Sequence, residues 1–193
     1  DSVDGVPCTH AADHDPHHHE HSVDPHWWLN PNHMMRAARQ LCKVFIECDP
    51  EGASVYRQNL ANYRKSLRTL DQEVRTTLGT IPEGQRILAL AHPAFAYFCE
   101  AYNFKQISVA GLSQQALPSA SDLKDIIDLL EQEKVQALFP EVDSNPKLLA
   151  AVSEASHVVV SSPLYVDALP PDDPNYHGLM RHNAELLADK LGA

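Results

Sequence analysis

No run of apolar residues in this 193-residue chain approaches the roughly 18 needed to cross a membrane, and no basic-then-apolar leader opens it. Such a chain is either cytosolic or has parted from its leader. A cationic stripe is also lacking: 15 Lys and Arg lie scattered among 26 Asp and Glu, for a net charge of -11. With nothing to neutralise a row of phosphates, nucleic acid and anionic membrane surfaces are excluded as expected partners. The four cysteines, Cys8, Cys42, Cys48 and Cys99, show no CxxC spacing, which argues against a cysteine zinc knuckle or a thioredoxin-type site. There is no HExxH pair to place two histidines and a base on one helix face. What remains is a chain with 44% hydrophobic content, enough for a substantial core in one domain or slightly more.

Against these absences stands one concentrated feature. Residues 13–21 read Asp-His-Asp-Pro-His-His-His-Glu-His, five imidazoles and three carboxylates in nine positions with no apolar side chain to bury. Purification tags are bare homopolymers at a terminus, whereas this tract alternates His with acids and runs into Asp24-Pro25-His26-Trp27-Trp28-Leu29. Its donor chemistry suits a borderline-soft transition metal. Residues 1–25 otherwise read as a loop, ordered only if a cation gathers it.

Asn30-Pro31 gives a capping residue followed by a first-turn proline, so a helix is expected from there, with Ala37, Leu41, Val44 and Phe45 as its apolar stripe. Tyr56, Leu60, Tyr63, Leu67, Leu70, Val74 and Leu78 then recur at steps of four and three, predicting one long helix ending near Gly79. At 1.5 Å per residue such a helix is roughly 40 Å long, a strut between lobes rather than part of one small core. After Pro82 the texture alternates: strands over 86–91, 107–110, 135–139 and 157–160, and helices over 94–102, 121–133, 146–155 and 176–191. The expected fold class is α/β, a parallel sheet flanked by helices and preceded by a long backbone helix. The expected domains are 1–30, a His-rich loop with the end of an amino-terminal lobe; 31–82, linking helices; and 83–193, a carboxy-terminal α/β lobe.

Ligands of open α/β sheets lie beyond the carboxyl ends of the strands. That edge receives His92 after the first strand, Glu141 and Asp143 after the third, and Ser161, Ser162 and Asp167 after the fourth. His26, between an Asp-Pro turn and an apolar Trp-Trp-Leu, has the fixed base that a metal ligand needs. His33, His157, His177 and His182 are isolated and read as structural or exposed, and Tyr56, Tyr63, Tyr97 and Phe98 as core.

Asp24 to Pro31, Ala91-His92-Pro93-Ala94-Phe95-Ala96-Tyr97-Phe98, Leu117-Pro118-Ser119, and Tyr176 through Met180-Arg181-His182-Asn183 fall in the order of one family. The chain resembles the solute-binding proteins of bacterial zinc and manganese ABC importers, the zinc-uptake branch in particular. The resemblance implies two α/β lobes bridged by a long helix with a cation clamped between them. It gives His26 and His92 the roles of metal ligands, and it favours Zn²⁺ because manganese members tend to place Glu where His92 stands. It also puts a first-lobe ligand upstream of residue 1, so a carboxy-terminal portion of a longer protein is expected. Ser162 stands where the family commonly has Asp; water, Glu141 or Asp167 would complete the shell, and Glu141 is the preferred third ligand.

The function so implied is extracytoplasmic, periplasmic or anchored at the cell surface: a monomeric receptor that captures Zn²⁺ and hands it to an ABC permease, with the His-rich loop as accessory collector. A manganese or iron receptor of the same family is the alternative. A metal-dependent hydrolase would need a general base beside its bound water, and Glu141 cannot be both ligand and base. An adhesin-like surface protein in which the metal is incidental is the third class.

Overall fold

The alternation of short apolar runs with helical periods is realised as a four-stranded parallel sheet. The computed structural model describes residues 24–109, 119–142 and 146–192. The His-rich tract, Leu117-Pro118 and Asp143 lie outside the described residues. The strands are β1 (Ile87–Leu90), β2 (Lys105–Ser108), β3 (Ala137–Phe139) and β4 (Val159–Val160), in spatial order β2-β1-β3-β4 with all pairs parallel. Around them run α1 (Pro31–Cys48), α2 (Ala53–Leu78), α3 (Ala96–Tyr102), α4 (Ala120–Gln132), α5 (Pro146–Ser156) and α6 (Tyr176–Leu191).

Alternation along β1 sends side chains to two cores. Leu88 and Leu90 join Phe139 in a cluster with Leu67, Leu70 and Val74 of α2, Phe98 of α3 and Met180 and Leu187 of α6. Ala89 and Ala91 face the other way, into a cluster with Leu138, Ile107, Leu130 of α4 and Leu149 and Val152 of α5. Both faces of the sheet are thus covered, as parallel strands require.

Local signals set the ends of the helices. The Asn30 side chain accepts from Asn32 N–H and Pro31 occupies the first turn of α1. Ser119 and Asp122 form a reciprocal capping box on α4. The exits of α3, α4 and α5 turn through left-handed residues, Asn103, Lys134 and His157. Two strands are shorter than expected for that reason. His157, read as the start of β4, instead closes α5 by donating its N–H to the Ser153 carbonyl, and Val135 bonds back to Leu130 before β3 can begin.

The apolar stripe of α1 is a correction. Leu41 and Phe45 are 55% and 51% exposed, Val44 is exposed as well, and only Pro31, His33 and Cys42 of this helix are buried. The reason lies in the hairpin that α1 makes with α2. The buried residues of α2 are Leu67, Leu70, Val74 and Leu78, all in its second half, which packs beside α6. The first half of α2 meets α1 away from the sheet, where Tyr56 and Tyr63 are only partly buried. Tyr97 and Phe98 are core as expected.

Candidate metal centre

The chain leaves β1 toward β2 on one side and enters β3 on the other, so the order β2-β1-β3-β4 opens a crevice between the carboxyl ends of β1 and β3. His92 follows β1 and Glu141 follows β3. Beyond Phe139 the pairing is prolonged by a parallel bridge between Glu141 and Leu164, with Leu164 N–H on the Pro140 carbonyl and Val142 N–H on the Leu164 carbonyl. This bridge brings the segment carrying Asp167 to the same edge.

His26 comes from outside the sheet lobe. Pro25 and His26 lead into a single 3₁₀ turn, Trp27–Leu29, whose Leu29 is fully buried. The Trp28 indole donates to the Val166 carbonyl at 3.1 Å, and Tyr176 O–H donates to the Trp28 carbonyl at 2.7 Å. These two bonds fasten the turn to the segment before Asp167 and to the start of α6. The His26 ring then packs edge-on against Trp28, with centroids 5.4 Å apart. His33, from the first turn of α1, packs edge-on to Tyr97 at 5.0 Å, and burial lowers its pKa. It is a structural histidine beneath the site.

The central observation is the spacing of the two expected donors: the His26 and His92 rings stand 5.8 Å apart, inclined at 66°. A ring nitrogen binds zinc at about 2 Å, which puts each ring centroid about 3 Å from the cation and two tetrahedral imidazoles about 5 Å apart. The pair is therefore at the separation that one shared cation requires, to within a small adjustment.

Each ring has a carboxylate at Nδ1. The buried Asp24 (1% exposed) accepts both the His26 backbone N–H at 2.9 Å and a 2.6 Å bond with His26 Nδ1, all on Oδ1. Glu141, 5% exposed, lies with Oε1 3.3 Å from His92 Nδ1. Glu141, the carboxylate expected as third ligand, thus lies against the Nδ1 side of the His92 ring. A carboxylate the sequence reading ranked lower, Asp167, lies with Oδ2 4.0 Å from His26 Nε2 and is 63% exposed. Ser162 is exposed, its carbonyl accepting from the Ser161 hydroxyl. Among the described residues no set of three His, Cys, Asp or Glu side chains is already drawn together as a bound cation would hold them. Burial, and then the charge of Asp24, push the Cys99 thiol far up, so it stays protonated and offers no soft donor.

The hydrogen bond with Glu141 raises the pKa of His92 above its ordinary 6.5, burial opposes, and the charges of Glu141, Asp167 and Asp24 reinforce the rise. The folded-state value is raised, so the His92–Glu141 ion pair stabilises the metal-free chain fully below pH 6.5 and that contribution is lost as pH climbs through the raised value. Coordination needs the neutral ring and so follows the opposite trend. Adding zinc near pH 6.5 to weakly buffered protein should release a proton, and affinity should fall as the solution is acidified. Proton release that is unchanged in His92→Gln would refute this assignment.

The family model described as zinc-uptake complex component A, periplasmic, matches residues 1–190. The manganese-binding lipoprotein MntA of Bacillus subtilis (strain 168) is 31% identical over 178 residues, covering 88% of this chain and 58% of its own length. The high-affinity zinc uptake system protein ZnuA of Paracoccus denitrificans (strain Pd 1222) is 33% identical over 173 residues, covering 89% of this chain and 52% of its own. The chain thus spans between half and three fifths of these relatives. The periplasmic zinc binding protein TroA of Treponema pallidum shares the fold, with a TM-score of 0.80 at 26% identity over 90% of this chain and 66% of its own. The relatives are named for manganese or for zinc, and as metal ABC transporter substrate-binding lipoproteins rather than as enzymes. No described helix is long and apolar enough to cross a membrane. With a motif-bearing histidine on each side of the crevice and the family model spanning nearly the whole length, the chain belongs to the ZnuA family of extracytoplasmic metal-binding proteins that serve ABC importers.

Proposed function

We propose that this chain belongs to a zinc receptor, which captures Zn²⁺ as cargo at a centre built from His26, His92 and Glu141 and releases it to an ABC permease. The observation that carries the reading is the 5.8 Å approach of two imidazoles that are remote in sequence. Imidazole donors suit zinc, whereas all-oxygen sets suit manganese. His26 and His92 face the cation through Nε2, Asp167 is the exposed carboxylate within reach, and Glu141 supports His92 from behind. In this reading residues 1–30 hold the accessory collector and the first imidazole, 31–82 the linking helices, and 83–193 the lobe that carries the second.

A manganese or iron receptor is the second reading. It is favoured by the exposed oxygen donor at Asp167 and by the 31% identity to a manganese-binding lipoprotein. Equilibrium competition among Zn²⁺, Mn²⁺ and Fe²⁺, followed by metal analysis of the recovered protein, separates the two. Zinc should be retained at equal free concentrations. Displacement by manganese would overturn the choice of metal while leaving the family intact.

A further inference from the structure

An imidazole can offer either nitrogen to a cation, and the hydrogen bond made by the other nitrogen decides which. In this crevice both Nδ1 atoms are engaged, by two carboxylates that are buried and come from unrelated parts of the chain. Asp24 meets His26 from two residues upstream, and Glu141 meets His92 across the β1–β3 crevice. Such carboxylates are costly to bury unless a partner uses them.

The Asp24 contact is the more tightly built of the two. Its Oδ1 closes a small ring with its own segment, taking the His26 backbone N–H and the ring nitrogen together, so the imidazole cannot rotate without breaking a bond inside the buried turn. Trp28 blocks the ring from the side. The opposite nitrogen, Nε2, is the atom that faces Asp167.

We propose that Asp24 and Glu141 are positioning residues: each holds its histidine in the Nδ1–H tautomer, so that both Nε2 atoms are presented, already oriented, to one cation. This rests on the receptor reading for its purpose but not for its geometry. It also assigns Glu141 its part in the centre. The two nitrogens of an imidazole point in divergent directions, so a carboxylate seated at Nδ1 is turned away from a cation on Nε2 and acts through the ring. The rings then need no tautomeric exchange when the cation arrives, and affinity depends on side chains that never touch it.

The test begins on the metal-free protein, with ¹⁵N-detected imidazole spectra above the titration range of the rings. His26 and His92 should both appear as Nδ1–H. In Asp24→Asn the amide can turn either its oxygen or its NH₂ to the ring, so His26 should become a tautomer mixture while His92 is unchanged; Glu141→Gln should do the reverse. Each variant should bind zinc about 10- to 100-fold more weakly. Asp24→Glu and Glu141→Asp, which keep the anionic acceptor, should restore part of the loss where a merely structural defect would not recover. Either ring found as Nε2–H in the parent, or amide variants with parental tautomers and affinity, would overturn the proposal. A parent with both rings as Nδ1–H but no zinc affinity would support the positioning and sink the receptor reading, so the two failures are distinguishable.

Discussion

Replacing His92 with alanine is expected to weaken zinc binding by on the order of a hundredfold or more while leaving the fold in place. Zinc bound by a complete set of four donors contributes roughly 10–16 kcal/mol, so one donor is worth about 3 kcal/mol, or a little over two decades in affinity. His92 stands at the rim of the crevice, partly exposed, and the core beneath it is made by Ala94, Phe95 and Phe98, which the substitution does not touch. Far-UV circular dichroism should therefore match the parent. His26→Ala should lose a similar amount. His92→Glu should behave differently: a hard oxygen donor in place of an imidazole lowers the advantage of zinc and moves selectivity toward manganese. Isothermal titration with each metal reads all three variants. Parental zinc affinity in both alanine variants would mean that the rings do not share a cation.

That His26, His92 and Glu141 would come together at one edge was legible in the sequence because two rules of different kind converge on it. The order of apolar runs predicts a parallel sheet, the sheet predicts that donors gather at its carboxyl edge, and His92 and Glu141 sit there after β1 and β3. His26 lies on no strand and was marked by its setting, an acid before it and two tryptophans after it. What the sequence did not reveal is which carboxylate serves which ring. Asp24, Glu141 and Asp167 are alike as letters. Their roles separate only with burial and direction, since two are enclosed at Nδ1 atoms and the third is exposed toward an Nε2.

The misplaced stripe of α1 has a comparable cause. Leu41, Val44 and Phe45 have the spacing of a buried face, and periodicity reports that a face exists without saying what meets it. The strand ends were missed for a more local reason. Val135 and His157 look like strand residues, but each follows or occupies a left-handed turn whose hydrogen bonds run back into the preceding helix. Lys134 and His157 are unusual choices for that conformation, where Gly or Asn is the common signal, so no residue type announced the turn.

Asn183 makes the second large effect. Its side chain is fully buried in α6, where it accepts from Tyr165 N–H at 2.9 Å and donates to the Tyr165 carbonyl at 2.7 Å. One amide thus satisfies both backbone groups of a residue two positions before Asp167. No strand partner is needed there, and the segment can turn outward so that its carboxylate approaches His26. Alanine removes both bonds and leaves the Tyr165 backbone groups without these partners, at about 1–3 kcal/mol for each group stranded from water. Asn183→Ala should therefore lower unfolding free energy by about 2–6 kcal/mol in urea titrations. Asn183→Asp should be at least as damaging, because it replaces the donor with a charge at a site closed to solvent. Zinc affinity of the folded fraction should also drop, because between the Leu164 bridge and Asp167 the segment would then be held by the Trp28 indole on the Val166 carbonyl without the Asn183 clasp. A loss under about 0.5 kcal/mol, the range of ordinary surface substitutions, would mean that Asn183 does not hold the Asp167 segment in place.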